Sequence, residues 1–337
     1  MQVVLSLRVG GLERVVLDLV QNASEEFRFV ICCLEEPGAW GGEAPRVVTL
    51  GKRPGFDWRL FWKIARLARA EKVDVIHTHN SAAHLYGAIG GKLAGVKVLH
   101  TEHGKNLGQE ARAFRLNRWA AHFTDLTVAV SEKIGREARE QEGVTADRLA
   151  VVANGICVDR FQLPRLTPGR RVGTVGRMVP EKNHALLLRA VAAIPNFELV
   201  FVGDGPLRGE LEREAGPQAQ FLGQRADIAK LLAGFDVFVL SSSTEGMSIA
   251  LLEAMAAACP IVVTAVGGNT ELIEHEVTGL VVPPDDATAL RAAIERLLTD
   301  RELASCLGAA AREVARQRYS VAAMIQRYEE LWRRLAA

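Results

Sequence analysis

Short apolar, β-branched runs alternate with helical stretches along most of the chain, and this alternation is the feature that most restricts its fold. It is typical of parallel sheets with helices on both faces, because parallel strands need helix-length connections. The predicted strands are Val3–Ser6, Phe29–Cys33, Val47–Leu50, Val73–His77, Val96–Thr101, Leu126–Val130, Leu149–Val152, Arg171–Val175, Glu198–Val202, Gln220–Leu222, Val237–Ser241, Pro260–Thr264 and Gly279–Val282. Predicted helices cover 58–71 and 131–142, follow His184, Pro206, Asp227, Ser248 and Ala287, and form a tail from Val321. We therefore expect an α/β protein.

The alternation is interrupted once, near residues 163–169, where Pro, Thr and Gly cluster. Such a cluster is typical of a linker. A chain of 337 residues is also longer than one hydrophobic core usually supports, about 250–300 residues. We therefore predict two Rossmann-like domains, residues 1–167 and 168–320, that face each other across a cleft, followed by a C-terminal helix over 321–337.

Composition excludes several classes of protein. The net charge of +1 argues against a dedicated nucleic-acid binder, and the apolar runs are too short to cross a bilayer. The N-terminus has no basic region followed by a long apolar stretch, so export is not indicated. Five cysteines without a C-x-x-C motif fit reduced thiols. These features predict a cytoplasmic protein.

Two cations follow the first strand of the second predicted domain. Arg177 and Lys182 lie in one strand-to-helix loop, where doubly wound sheets bind ligands. An Arg that binds phosphate oxygens in a bidentate manner and a Lys that supplies a point charge suit a diphosphate. A solvated loop with incidental charges is the alternative. The segment Gly203–Gly209 lacks the G-x-G-x-x-G spacing, which argues against a nicotinamide dehydrogenase.

The segment 241–253 runs from a strand end through a polar turn into an apolar helix. Glu245 lies in the turn and Glu253 two helical turns further on, so both carboxylates can accept hydrogen bonds from sugar or ribose hydroxyls. The backbone N–H groups of Gly246, Met247 and Ser248 can meet phosphate at the helix start. In the plainer alternative, Glu245 is an N-terminal helix acid and Glu253 a surface residue.

Several motifs together resemble the retaining GT-B glycosyltransferases of family 4. They are the pair Glu245/Glu253, the Arg177/Lys182 loop, Gly267–Glu271, Asn154–Ile156, Val130–Glu132 and the N-terminal loop Gly10–Glu13. The resemblance covers nearly the whole chain, and it implies a GT-B fold whose last helix packs back toward the N-terminal domain. The first strand and its loop are shorter than the family pattern.

The resemblance also implies roles for single residues. Arg177 and Lys182 would hold the diphosphate of a UDP- or GDP-sugar, Glu253 the ribose, and Glu245 with the backbone of 246–248 the sugar. Gly11 would let its loop approach the phosphate. The two cations would stabilise charge on the leaving group, so no cofactor and no metal are expected, in keeping with the lack of a D-x-D motif.

Histidines are concentrated in the first predicted domain. The resemblance makes His103, after the strand 96–101, the residue beside the donor sugar. His77, His79 and His84 allow a metal site by spacing, but no acidic ligand follows nearby, and packing in the sheet and the cleft wall is favoured. In the second domain, Gln224 and Arg225 are candidate neighbours of the nucleobase.

The expected function is transfer of a sugar from a nucleotide sugar to a hydroxyl of a glycan or lipid-linked acceptor, with retention. A GT-B nucleotide-sugar epimerase and a non-catalytic nucleotide-sugar binder are the alternatives. The aromatic and basic residues of 56–72 and 112–119 also fit contact with an anionic membrane through the N-terminal domain, with ordinary helix packing as the plainer reading. The protein would then lie at the inner face of the membrane.

Overall fold

The computed structural model describes residues 1–104, 111–166 and 169–337, with the backbone alone for 111–115. Contacts divide the chain into two compact units, Met1–Gly155 with Val321–Ala337, and Ile156–Ser320. The predicted boundary between Thr167 and Pro168 lies outside the described residues, as do Lys105 and its neighbours up to Glu110.

The first unit contains a parallel sheet in the order β3-β2-β1-β4-β5-β6-β7. Its strands are β1 (Gln2–Val4), β2 (Ile31–Cys33), β3 (Val47–Thr49), β4 (Val75–His79), β5 (Lys97–Glu102), β6 (Leu126–Ala129) and β7 (Leu149–Val151). Its helices are α1 (Gly11–Asn22), α2 (Arg59–Ala70), α3 (Ser81–Ala94), α4 (Ala111–Ala121) and α5 (Glu132–Glu137). A π-helical stretch, Ala138–Glu142, continues α5.

Helix α2 shows how the sequence pattern sets the packing of this unit. Leu60, Ile64 and Ala68 are spaced by four residues and are fully buried, so they form the face that packs into the core. Trp62 lies on the opposite side and is 58% exposed. One stripe of α2 therefore packs into the unit while Trp62 faces solvent.

The second unit contains a parallel sheet in the order β10-β9-β8-β11-β12-β13. Its strands are β8 (Arg171–Val175), β9 (Glu198–Val202), β10 (Ala219–Phe221), β11 (Val237–Leu240), β12 (Ile261–Thr264) and β13 (Leu280–Val282). Its helices are α6 (His184–Val191), α7 (Arg208–Glu214), α8 (Ile228–Ala233), α9 (Ile249–Ala256), α10 (Asn269–Leu272), α11 (Ala287–Thr299) and α12 (Arg301–Arg318). The α/β architecture expected from the sequence is confirmed.

The remaining helix, α13 (Val321–Ala336), packs within the first unit. The hydroxyl groups of Tyr328 and Thr101 lie 3.0 Å apart, and the Trp332 ring lies 5.4 Å from the rings of Phe27 and Phe29. Both α13 side chains are buried. The last segment of the chain thus completes the core that the first segment begins.

Candidate functional site

The sheet order of the second unit places two predicted site loops side by side. Strand order reverses between β8 and β11, which are paired in register through Val172 with Val237 and Gly173 with Phe238. Ligands of open α/β sheets bind at such a reversal, beyond the carboxyl ends of the strands. The loop after β8 carries Arg177 and Lys182, and the loop after β11 carries Glu245. All three residues therefore lie at the switch point.

Lys182 and Glu245 form a charge-assisted hydrogen bond. The Lys182 ammonium donates to Glu245 Oε1 over 2.5 Å, and the Ser242 hydroxyl donates to the same oxygen over 2.6 Å. The two charged side chains are 19% and 9% exposed, so solvent screens the pair only weakly. An ammonium has three donor hydrogens, so Lys182 can bind a further anion while it holds Glu245.

Backbone and hydroxyl contacts lock the two loops together. The Ser241 hydroxyl donates to the carbonyls of Lys182 and Asn183 over 3.2 and 3.1 Å, and the Ser243 amide donates to the Glu181 carbonyl over 2.9 Å. Asn183 takes a left-handed conformation that lets α6 begin at His184. The position of the ammonium group is therefore set by the end of β11 as well as by its own loop.

The turn between Glu245 and α9 presents backbone donors. The Ser248 side chain caps α9 by accepting from the Leu251 amide over 3.4 Å, and Met247 is buried beside it. The first amides of a helix lack intrahelical acceptors, so the segment that includes Gly246 is suited to an anion. Glu253 is half-buried in the second turn of α9.

Glycines bring a third loop against this turn. A Cβ atom at Gly267 would lie 1.9 Å from the Glu245 carbonyl oxygen, and one at Gly268 would lie 2.0 Å from the Gly246 oxygen. Gly267 also has φ of +53°, in the left-handed region. The motif Gly267–Glu271 contains this Gly-Gly pair, but the sequence did not predict its close contact with the turn; its position just after β12 was the available signal.

Arg177 is exposed in the same loop as Lys182. The backbone of this loop is held by the neighbouring loop after β9, since Met178 donates to the Asp204 carbonyl over 2.9 Å. Gly205 permits the approach, because a Cβ atom there would lie 2.4 Å from the Met178 oxygen. Arg177 therefore extends from a fixed backbone toward solvent.

The candidate base-binding residues Gln224 and Arg225 follow β10, the outer strand of the sheet. Both are exposed, and the Arg225 guanidinium donates to both carboxylate oxygens of Asp227 over 2.8 and 2.7 Å. Strand β9 separates β10 from β8 in the sheet order. Within the described ranges, no hydrogen bond or ion pair joins these two residues to the Lys182–Glu245 pair.

His184 is the first residue of α6, as its sequence position suggested. The side chain is 4% exposed, and its ring packs edge-on against Phe201 with centroids 5.5 Å apart. Burial, with the positive charge of Lys182 adding to it, lowers the pKa of His184 from 6.5 to about 4. The imidazole is therefore neutral at physiological pH.

The first unit presents its own candidate loops at the reversal between β1 and β4. Gly11 begins α1 after the loop that follows β1, and it is exposed there. His103 lies directly after β5 and is half-buried. Burial lowers the pKa of His103 from 6.5 to about 4, His100 adds to the shift and Glu102 opposes it.

A chain of polar groups behind His103 was missed by sequence reasoning. His79 Nδ1 lies 3.1 Å from His103 Nε2, and His79 Nε2 lies 2.8 Å from the side-chain oxygen of Gln2. Next to it, His77 Nε2 lies 2.7 Å from the hydroxyl of Thr101. The available signal was that Gln2 begins β1 and that β4 and β5 end in the polar residues His79 and Glu102.

The spacing of His77, His79 and His84 allowed a metal site. Among the described residues, no three His, Cys, Asp or Glu side chains are grouped so that they could hold a metal ion. Burial lowers the pKa of all three imidazoles well below 6.5, and neighbouring histidines add to this. The rings of His77 and His79 are neutral hydrogen-bonding groups on β4, and the ring of His84 is a neutral hydrogen-bonding group on α3. Within the described ranges, no helix combines the length and apolarity that a bilayer crossing requires.

Comparison with known proteins matches both units to glycosyltransferase families. Residues 9–160 match the family described as Glycosyltransferase Family 4, and residues 169–300 match that described as Glycosyl transferases group 1. A lipopolysaccharide core biosynthesis glycosyltransferase of Rhizobium meliloti, LpsD, is 34% identical over 348 residues, covering 96% of this chain and 95% of that protein. A UDP-Gal:alpha-D-GlcNAc-diphosphoundecaprenol alpha-1,3-galactosyltransferase of Escherichia coli is 29% identical, covering 73% of this chain and 72% of that protein.

Solved structures share the fold. HepE of Anabaena in complex with UDP and glucose superposes with a TM-score of 0.87 at 23% identity, covering 98% of each chain. Sucrose-phosphate synthase from Thermosynechococcus elongatus gives a TM-score of 0.78 at 23% identity, covering 99% of each chain. The fold of this chain therefore occurs in solved proteins of low sequence identity.

Proposed function

Because the chain belongs to glycosyltransferase family 4 and is a glycosyltransferase, we propose that it transfers a sugar from a UDP-sugar to a hydroxyl of a glycan or lipid-linked acceptor and releases UDP. The E. coli relative, named for a UDP-galactose donor and a diphosphoundecaprenol acceptor, supports both halves of this proposal. The HepE complex with UDP-glucose supports the choice of nucleotide. The proposed reaction belongs to glycan or lipopolysaccharide synthesis.

The observation that carries the proposal is the Lys182–Glu245 pair at the strand-order reversal. In the proposed complex, Lys182 and Arg177 bind the donor diphosphate. The backbone amides of 246–248 meet phosphate or the sugar, and Glu245 accepts hydrogen bonds from sugar hydroxyls. Glu253 accepts hydrogen bonds from the ribose.

The proposed chemistry depends on stabilising the leaving group. When the bond to the sugar breaks, negative charge develops on the diphosphate oxygen, and the two cations lower the energy of that state more than that of the bound donor. Lys182 is already positioned by Glu245 and Ser242, so little reorganisation is needed. We propose that these cations suffice without a divalent metal.

Residues of the first unit have proposed roles of their own. His103 contacts the transferred sugar, and the loop that begins α1 at Gly11 approaches the phosphate. The acceptor hydroxyl attacks from the face that the diphosphate leaves, so the anomeric configuration is retained. Catalysis in this scheme comes from positioning and charge stabilisation.

We also propose that the acceptor is reached at the inner face of a membrane. Three aromatic residues are exposed: Phe56 (60%) and Trp58 (62%) just before α2, and Trp62 (58%) on α2. Lys63 and Arg66 are exposed on the same helix. Exposed aromatic rings and cations together suit the boundary of an anionic bilayer. Sedimentation with vesicles of phosphatidylglycerol should carry the protein down, and Trp58→Ser with Trp62→Ser should reduce that binding. Equal sedimentation of this double variant would contradict the membrane proposal.

The proposed reaction is tested with purified protein, a short lipid-linked disaccharide acceptor and UDP-glucose, UDP-galactose, UDP-N-acetylglucosamine or GDP-mannose, each with and without EDTA. We expect UDP release and a new glycosidic bond with one of the UDP donors, unaffected by EDTA. Proton NMR of the product reports the anomer. Turnover with GDP-mannose alone would contradict the nucleotide assignment, and loss of turnover in EDTA would contradict metal independence. An inverted product would contradict retention.

A further inference from the structure

A hydrogen-bonded chain leads from β1 through β4 to the end of β5. Gln2 and His79 are 1% and 0% exposed, so water does not compete for their polar atoms. Gln2 Oε1 lies 2.8 Å from His79 Nε2, and His79 Nδ1 lies 3.1 Å from His103 Nε2. Three side chains from neighbouring strands are thus joined in one line that ends at the half-buried His103 ring.

The chemistry of the first member determines where each proton sits. A carboxamide oxygen only accepts hydrogen bonds, so His79 Nε2 must carry the hydrogen. His79 is neutral, because its ring is buried 4.1 Å from that of His77 and a charge there would lack solvation. Its Nδ1 therefore holds a lone pair and accepts from His103 Nε2–H.

The same reasoning then applies to His103. A neutral imidazole carries one hydrogen, and here that hydrogen lies on Nε2. Its Nδ1 consequently holds a lone pair. If the Gln2 amide were turned over, its NH₂ group would face His79 and every hydrogen in the line would move to the opposite nitrogen. The orientation of one buried amide thus decides whether His103 accepts or donates at Nδ1.

We propose that Gln2 and His79 are positioning residues that hold His103 in the Nε2–H tautomer, so that Nδ1 accepts a hydrogen bond from a hydroxyl of the transferred sugar. This inference rests on the proposed function, in which His103 contacts that sugar. It adds a specificity rule: the donor must offer an O–H or N–H at that point, and a deoxy analogue leaves a buried acceptor without a partner.

The tautomer is tested directly, without turnover. Long-range ¹H–¹⁵N correlation spectra of the full chain labelled with ¹⁵N-histidine distinguish the two neutral forms, and the His79→Gln and His103→Gln variants assign the signals. We expect both His79 and His103 in the Nε2–H form. An Nδ1–H form of His103 in the wild-type protein would overturn the inference, whatever the activity.

Variants of Gln2 test the positioning. Gln2→Leu removes the acceptor, so His103 should populate both tautomers and kcat should fall about tenfold, as expected for loss of one hydrogen bond, with UDP affinity unchanged. Gln21→Leu, an exposed site in the same unit, is the matched control. Melting curves verify that each variant is folded.

The outcomes separate the inference from the function on which it rests. If the wild-type protein transfers sugar and the Gln2→Leu variant keeps both the wild-type tautomer of His103 and the wild-type kcat, the inference is overturned while the proposed function stands. Absence of transfer by the wild-type protein with every donor would contradict the proposed function and the sugar contact of His103. The spectra would still decide the tautomer assignment.

Discussion

At the scale of single residues, Lys182 serves both the folded protein and the proposed ligand. In the structure it neutralises Glu245, whose carboxylate is 9% exposed and also accepts from Ser242. A bound diphosphate would share the ammonium with that carboxylate. The pair therefore keeps a cation fixed where a ligand would otherwise have to order a flexible side chain, which costs conformational entropy.

Substitution of Lys182 tests this view. Lys182→Ala should weaken UDP binding by about 1.5–3 kcal/mol, the range for hydrogen bonds to charged groups. Isothermal titration calorimetry in the presence of EDTA measures it. Lys230→Ala, at an exposed position of the same unit, is the control and should bind as the wild type does. Unchanged UDP affinity of Lys182→Ala would contradict the diphosphate assignment.

His184 makes stability depend on pH in one direction. The pKa of His184 is about 4 in the folded protein and about 6.5 in the unfolded chain. Between these pH values the unfolded chain therefore binds a proton at His184 and the folded protein does not. Stability is therefore lost as pH falls from about 6.5 toward 4. In His184→Gln, the loss of unfolding free energy between about pH 7.5 and pH 5 should be smaller by about 2 kcal/mol than in the wild type.

Urea denaturation at the two pH values measures this difference. His122→Gln is the control, because His122 is exposed and its substitution should leave the pH dependence as it is. A His184→Gln variant with the wild-type dependence would mean that the buried ring takes up its proton in the folded state as readily as in the unfolded one.

At the scale of elements, the site is an arrangement of loops that glycines allow to touch. The loop after β12 lies against the turn before α9 because Gly267 and Gly268 have no Cβ atoms. Likewise, Gly205 lets the loop after β9 approach Met178. Close contacts between neighbouring loops thus fix the backbone that carries the candidate binding groups; a loop without these neighbours would not hold that conformation.

Gly267→Ala should disturb this arrangement. The added Cβ atom would meet the Glu245 carbonyl oxygen at 1.9 Å, and φ of +53° disfavours any side chain. We expect a loss of about 1–3 kcal/mol of stability together with weaker UDP binding. Thermal denaturation and calorimetry measure the two effects. Gly209→Ala is the control, since nothing lies within 4 Å of its Cβ position in α7, and it should be neutral or stabilising.

Strands were the most predictable elements. The predicted bounds Arg171–Val175 and Glu198–Val202 are those of β8 and β9, because strands buried on both faces carry apolar or small residues at successive positions. Helix α12 was not predicted separately from α11. A single residue, Asp300, ends one helix and caps the next by accepting from Leu303, so the helical pattern continues across the break.

The candidate site was predictable as a set of residue types but not as a set of contacts. The position of Lys182 and Glu245 after strands indicated ligand loops. Their pairing depends on β8 lying beside β11, which spacing along the chain does not reveal. The chain from Gln2 to His79 and His103 likewise requires β1, β4 and β5 to be neighbours. Sequence assigns the chemistry of each loop, and strand order decides which loops meet.

At the scale of the whole molecule, the two ends of the chain belong to one unit. Met1–Gly155 and Val321–Ala337 form a compact unit, and Ile156–Ser320 forms the other. The chain therefore passes from the first unit to the second and back. Helix α13 is formed by the last residues of the sequence, yet Tyr328 and Trp332 are buried against residues of the first sheet and its loops.

Trp332→Ala should consequently destabilise the first unit and spare the second. Trp332 is 4% exposed and packs 5.4 Å from the rings of Phe27 and Phe29, so its truncation leaves a cavity that costs about 3–5 kcal/mol. Hydrogen exchange followed by mass spectrometry should show faster exchange in β1 and β4 while β8 and β11 keep their protection. The control is Trp62→Ala, which removes a ring that is 58% exposed and should leave both sheets protected. Equal acceleration in the two sheets would mean that the units unfold as one cooperative body, and no acceleration would mean that α13 adds little to the first core.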